Sequence, residues 1–150
     1  MKFLCRTLEF EIKEIRGTIN LMPFIKQVIV DSGIRNGTGV IQVKHSTAGL
    51  ISQEDEVGLL KRDLPKLLDH LVPKGFGSDH DDLSQRPNIS PEERINGRAH
   101  LEYMVIAHDS KPFIVEDYQI DLGWWLSVLL IDLDPIGRDP REVKIAVMGE

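Results

Sequence analysis

Cysteine occurs once, at Cys5, so the chain can form no internal disulfide and no cysteine-rich zinc site. A reducing compartment is the corresponding expectation, and with it a cytoplasmic protein. Long apolar runs are also missing. The strongest, Trp-Trp-Leu-Ser-Val-Leu-Leu-Ile from Trp124, is less than half of the roughly 20 residues a membrane-spanning helix needs. The first residues carry charges at positions 6, 9, 11, 13 and 14, so they lack the apolar stretch of a secretory signal. An excess of base is lacking as well: 18 lysines and arginines face 24 acids, a net charge of −6. That balance opposes phosphate-backbone binding, and no nucleic-acid partner and no membrane are expected. A metal ion or a cationic small molecule suits the acidic field better, although a local basic pocket could still hold a phosphate.

What remains is an ordinary globular composition, 41% hydrophobic and 28% charged, over 150 residues. One domain spanning 1–150 is expected, with a core that needs no disulfide or structural metal. Residues 3–12 alternate loosely and read as a strand. Met22, Ile25, Val28, Ile29 and Ile34 fall at helical spacing, with Asn20 as N-cap and Gly37 beyond the end. Val40 to Ile51 is β-rich but broken at Ser46-Thr47-Ala48-Gly49, which predicts two strand pieces joined by a bend. Over 54–71 a leucine stripe predicts an amphipathic helix, with Pro65 a kink. Residues 73–90 have no periodicity and form a long loop. Ser90, Pro91 and Glu93 match a capping box, predicting a helix from there to about His108. Three further strands follow, with turns near Glu116-Asp117 and Pro135-Ile136-Gly137, and with Trp124 and Trp125 in a strand, pointing to opposite faces. This order predicts an α+β domain whose mainly antiparallel sheet carries helices packed on it.

Chemistry is concentrated at three of the five histidines. His70 and His108 fall near helix ends beside acids, where a solvated imidazole suffices. His45 ends a β-rich run and precedes small residues whose backbone and hydroxyls could face a phosphate or carboxylate; a buried, hydrogen-bonded histidine in a bulged strand would read the same. His80 lies in Ser78-Asp79-His80-Asp81-Asp82, a ligand-dense loop that could equally be a solvated acidic one. Glu93, Asn96 and His100, spaced i, i+3, i+7, would share one face of the capped helix. Gly97 in mid-helix costs ~1 kcal/mol relative to alanine, which predicts a close approach to the backbone there. Arg94 and Arg98, on a neighbouring face, could hold phosphate. Three imidazoles from separate elements could make an open metal site for zinc or magnesium, or a single histidine could serve as general acid or base.

Taken together, His45-Ser46-Thr47-Ala48-Gly49-Leu50 followed by Glu54-Asp55, then His80-Asp81-Asp82, Asn96-Gly97-Arg98-Ala99-His100-Leu101, and Leu122-Gly123 before Trp125 resemble the YjbQ family in order and spacing over about the whole chain. The resemblance implies an antiparallel α+β fold, a homotrimer, and a site near the subunit boundary around the histidines. It also implies a secondary thiamine-phosphate-synthase-type activity, joining hydroxymethylpyrimidine diphosphate to a thiazole phosphate with release of diphosphate. His45, His80 and His100 would then bind metal or phosphate, assisted by Glu93, with Ser46, Thr47, Asn96 and Arg98 on the phosphorylated substrate. The last third departs from the family pattern: Tyr118 to Leu126 lacks the arginine and glutamine expected there, and the Asp-Gly-Pro-Arg segment is stretched into Asp134 to Arg141. Two other readings are a non-catalytic trimeric metal- or anion-binding protein, and a metal-dependent hydrolase with Glu93 or Asp81 as base.

Overall fold

A computed structural model describes all residues, 1–150. Its eight strands form two antiparallel sheets. Strands β1 (Lys2–Phe10), β3 (Gly37–Val43), β5 (Ser110–Glu116), β6 (Gln119–Asp121) and β8 (Arg141–Gly149) make a five-stranded sheet in the order β1-β8-β3-β5-β6. Strands β2 (Gly17–Asn20), β4 (Ala48–Gln53) and β7 (Ser127–Asp132) make a three-stranded sheet in the order β2-β7-β4. Helix α1 (Met22–Ser32) packs on the larger sheet, and α2 (Leu64–Leu71) and α3 (Gly97–Ile106) belong to the smaller one.

The arrangement follows from where apolar residues point. Outside the middle layer the strands alternate: Ile41 and Val43 of β3 and Val143, Ile145 and Val147 of β8 face α1 and the core, while their neighbours face out. Strand β7 does not alternate. Val128 and Leu130 join the core shared with α1, and Leu129 and Ile131 join the one shared with α2 and α3. A strand covered on both faces must be apolar throughout, which accounts for the continuous run Val-Leu-Leu-Ile.

Local differences from the sequence expectations have physical causes. Helix α1 ends at Gly33, whose left-handed φ of 58° closes it, before Gly37; Leu21 is its N-cap residue, and Asn20, one position earlier, accepts the Met22 N–H at 2.9 Å. The leucine helix starts near Val57 and passes through a π turn, Leu59–Asp63, before α2. Pro65 is the reason: it has no N–H for the carbonyl four residues back, and its ring displaces that carbonyl. The phase shift leaves Leu67 and Leu71 exposed while Leu60 and Leu68 are buried.

The expected capped helix from Ser90 is a correction. Ser90 does accept the Glu92 N–H on Oγ and the Glu93 N–H on its carbonyl, but the turn stops there and α3 begins only at Gly97. The Glu93 carboxylate, which a capping box needs, pairs instead with Arg86. Glu93 therefore shares no helical face with Asn96 and His100. The tryptophans are a second correction: Trp124 and Trp125 sit in the turn before β7, and both are exposed.

The same end of the sandwich holds two of the places where the chain changes sheets. Residues 44–47 carry it from β3 to β4, and residues 133–140 carry it from β7 back to β8. The two crossings touch through the Leu133 N–H to the Thr47 carbonyl, 2.9 Å. His45 lies on the first, and two buried acids and two arginines lie on or beside the second.

Candidate functional site

Backbone geometry at the crossings sets the side chains. Asp132, the last residue of β7, is buried and accepts Arg141 Nε at 2.6 Å, Arg141 Nη2 at 3.2 Å and the backbone N–H of Asp134 at 3.0 Å. Arg141, also buried, gives its other Nη2 hydrogen to the Asp134 carbonyl at 2.9 Å. Its remaining nitrogen, Nη1, stands 3.0 Å from Nε2 of His45. On the far side of that ring, Nδ1 is 3.1 Å from both the backbone nitrogen and the hydroxyl of Thr47. Burial, and then the Arg141 charge, push the His45 pKa down, so the ring is neutral near pH 7.

A second constellation adjoins the first. Asp134 accepts Arg94 at 3.0 Å, Asn96 Nδ2 at 2.9 Å and Arg138 through two nitrogens, the shorter contact 2.6 Å. Burial alone would raise its pKa; the hydrogen bonds from Arg138 and Asn96 and the nearby arginine charges outweigh it and hold the carboxyl below its ordinary range. His80 and His100 lie side by side, ring centroids 4.5 Å apart and tilted 37°. Burial, and then the neighbouring His80, lower the His100 pKa, while the Ser46 backbone at its ring acts the other way. His80 Nδ1 and Asn96 Oδ1 are buried without a hydrogen-bond partner; Asp81 is 3.7 Å from the former, beyond bonding distance. Native proteins satisfy nearly all such atoms, so each has hydrogen-bonding capacity that the protein itself does not use.

The loop is clamped over this place by Gly97. Its N–H donates to Asp81 Oδ1 at 2.8 Å, and any Cβ there would collide with Ser78. The close approach expected at Gly97 is real, although the glycine opens α3 rather than interrupting it.

The expected site residues divide accordingly. His45, His80, Asn96 and His100 converge around the crossings, with Ser46 beside His100. Thr47 is buried and committed to His45 and Leu133, so its groups are not free for a ligand. Glu93 is 2.9 Å from Arg86 Nη1, a contact with the distance of an ion pair but not the direction of a hydrogen bond, and this pairing holds its carboxyl below the ordinary range. Arg98 points elsewhere: it donates to Val72 O at 2.9 Å and Asp69 at 2.6 Å and pairs with Glu102. The three histidines do not form a common ligand set for zinc or magnesium. His45 has Thr47 on one nitrogen and a guanidinium on the other, and no three His, Cys, Asp or Glu side chains are grouped to hold a metal ion.

Sequence reasoning missed Asp132, Asp134 and the roles of Arg138 and Arg141. The available signal was two acids, Asp-Leu-Asp, closing the most apolar run of the chain, where an unpaired carboxylate would be costly and two arginines follow within seven residues.

A family profile described as UPF0047 protein YjbQ-like matches residues 6–150. Among curated relatives, a UPF0047 protein of Methanocaldococcus jannaschii is 26% identical over 132 residues, 88% of this chain and 85% of that one. One from Archaeoglobus fulgidus is 31% identical over 113 residues, 75% of this chain and 77% of that one. Among solved structures, a YbjQ-like protein of unknown function from Sulfolobus solfataricus superposes with a TM-score of 0.83 at 23% identity over 99% of both chains. A hypothetical protein from Aeropyrum pernix gives 0.76 at 25% identity over the full length of both.

Proposed function

Because this chain belongs to the UPF0047 family of YjbQ-like proteins, we propose that its histidine site receives phosphorylated small molecules and carries a thiamine-phosphate-synthase-type transfer. The observation that supports this reading is the side-by-side pair His80 and His100, with His80 Nδ1 buried and free of any partner, next to the arginines on Asp134. In the reaction, the thiazole ring nitrogen attacks the methylene carbon of hydroxymethylpyrimidine diphosphate. The C–N bond forms, the C–O bond breaks, and its electrons leave with the diphosphate. The protein's work is then to hold two anionic reactants and offset charge on the leaving oxygen. A hydrogen bond from His80 serves that oxygen, neutral His100 moves protons at the diphosphate, and Glu93 is a positioning residue acting through Arg86 and His80.

The same reading includes assembly of three copies. Its support is the outer face of the larger sheet, where Phe3, Met148 and Ile114 fall in one register row and Val40 in the next, all exposed. Light scattering checks the trimer.

A second reading, an anion or metal receptor without turnover, draws on the loop around Trp124, which lacks the family's arginine and glutamine. One experiment separates the two: purified protein is incubated with both substrates and formation of thiamine phosphate and diphosphate is followed. Turnover lost on His100→Gln, by about a hundredfold, supports the transfer. No product, with zinc or diphosphate still bound in titration calorimetry, leaves the receptor.

A further inference from the structure

The contact between His45 and Arg141 is a meeting of two donors. A backbone N–H can only donate, so the Thr47 nitrogen at 3.1 Å makes His45 Nδ1 the acceptor. The neutral ring then carries its hydrogen on Nε2. Arg141 Nη1, 3.0 Å from Nε2, has only hydrogens to offer. Arg141 cannot turn away, because Asp132 and the Asp134 carbonyl hold its other nitrogens. Two fixed N–H groups thus converge on one point with no acceptor between them, on a guanidinium that is only 6% exposed.

That point opens into a cleft of about 290 Å³ whose wall includes Lys44, His45, Arg138 and Arg141. Arg138 uses Nε and Nη2 on Asp134, leaving Nη1 without a bond there. Asp139 and Glu142 also line the cleft, and they oppose a ligand with charge spread along its length. We propose that this cleft binds a single phosphate monoester group, one oxygen of which accepts from both His45 Nε2 and Arg141 Nη1 while Arg138 and Lys44 reach the others. The proposal rests on the reading of the site as a receptor for phosphorylated molecules and assigns the two reactants to two places. The monoester of one reactant sits at His45 and Arg141, and the diphosphate of the other at His80 and His100.

The test titrates inorganic phosphate into the full chain by ³¹P NMR and calorimetry, with His45→Phe and Arg138→Gln alongside. Binding in the unaltered chain, weakened about tenfold or more in each variant, is the expected result, because each loses a charge-assisted or directed hydrogen bond. Arg141 is not substituted, since it holds Asp132; instead the His45 tautomer is read from ¹⁵N shifts of labelled histidine in the unaltered protein. A hydrogen on Nε2 is expected. A hydrogen on Nδ1, donated to Thr47 Oγ1, would make the pair self-satisfied and overturn the proposal, as would phosphate binding that both variants retain or that the unaltered chain lacks. Failure here is separable from failure of the transfer reading. Phosphate bound through His45 without thiamine phosphate formation leaves the cleft and removes the transferase, whereas turnover with phosphate binding lost only on His100→Gln does the reverse.

Discussion

Helix α3 contributes to two polar clusters on different faces, and the clusters differ in how completely they are used. On one face, Arg98 and Glu102 meet Arg16 and Asp69. Arg16 reaches both oxygens of Glu102, at 3.1 and 2.6 Å, and Asp69 at 2.9 Å, and Arg98 completes the set. No side-chain nitrogen or oxygen of these four is buried without a partner. On the other face, Asn96 and His100 meet His80, Asp134 and the His45 crossing, where two buried polar atoms are unpaired and two donors oppose each other. A cluster that closes on itself ties the β1–β2 turn to α2 and α3. A cluster left open is what a ligand site looks like before its ligand.

The sharpest way to break this contrast is Glu102→Ala, which leaves half-buried Arg16 with only Asp69 and the Pro65 carbonyl and leaves Arg98 short of a partner. Stability should fall by about 2 to 3 kcal/mol in chemical denaturation, while phosphate affinity of the folded fraction stays as it was. Equal losses in both would mean that the clusters are one system. Gly97→Ala comes next: its methyl group must displace Ser78 and the His80 loop, at a cost of about 1 to 3 kcal/mol, and proteolysis should then cut first within residues 78–96. The opposite sign is expected for His80→Leu, which removes an unsatisfied buried nitrogen. Its unfolding free energy should be unchanged or higher by about 1 kcal/mol or less, with turnover lost. A large destabilisation would place His80 with the structural cluster.

The smallest effect is in pH. His45 and His100 both have folded pKa values below the ordinary 6.5, so the unfolded chain binds their protons first on acidification. Stability from this source is complete above 6.5 and is lost as pH falls through the two folded values. The depressed Asp134 adds to the same loss at still lower pH. Denaturation curves between neutral and mildly acid pH should show this slope, and His45→Phe or His100→Phe should each flatten part of it. No flattening in either variant would remove the two histidines as its source.

Much of the fold was readable because the period of apolar residues depends on neighbours along the chain. Strand β1, helix α1, the break between β3 and β4 at His45, and the turns at Asp117 and Pro135 all carry local signals. The α+β class and the antiparallel sheets follow from them. The helix start at Gly97 was not readable, because the local promise of Ser90 and Glu93 was spent on one turn once Arg86, seven residues away from Glu93, took the carboxylate. In the site, the histidines stood out by type and by neighbouring small residues. Arg138 and Arg141 did not, because which arginine meets which acid is decided by the return of the chain from one sheet to the other. Arg98 was misjudged for the same reason: its helix face meets Asp69 and not the histidines.

The place of β8 between β1 and β3 has a consequence for how the molecule comes into being. Its first residue, Arg141, pairs in register with Phe10, and Gly149 pairs with both Lys2 and Gly37. The larger sheet can therefore close only after nearly the whole chain is present, which is a high-contact-order, slow step. Until then β1 and β3 have open edges and His45 has no guanidinium opposite it. Assembly of the sheet and arming of the pocket are one event, and in pulse-labelled hydrogen exchange the amides of β1 should gain protection no earlier than those of β8.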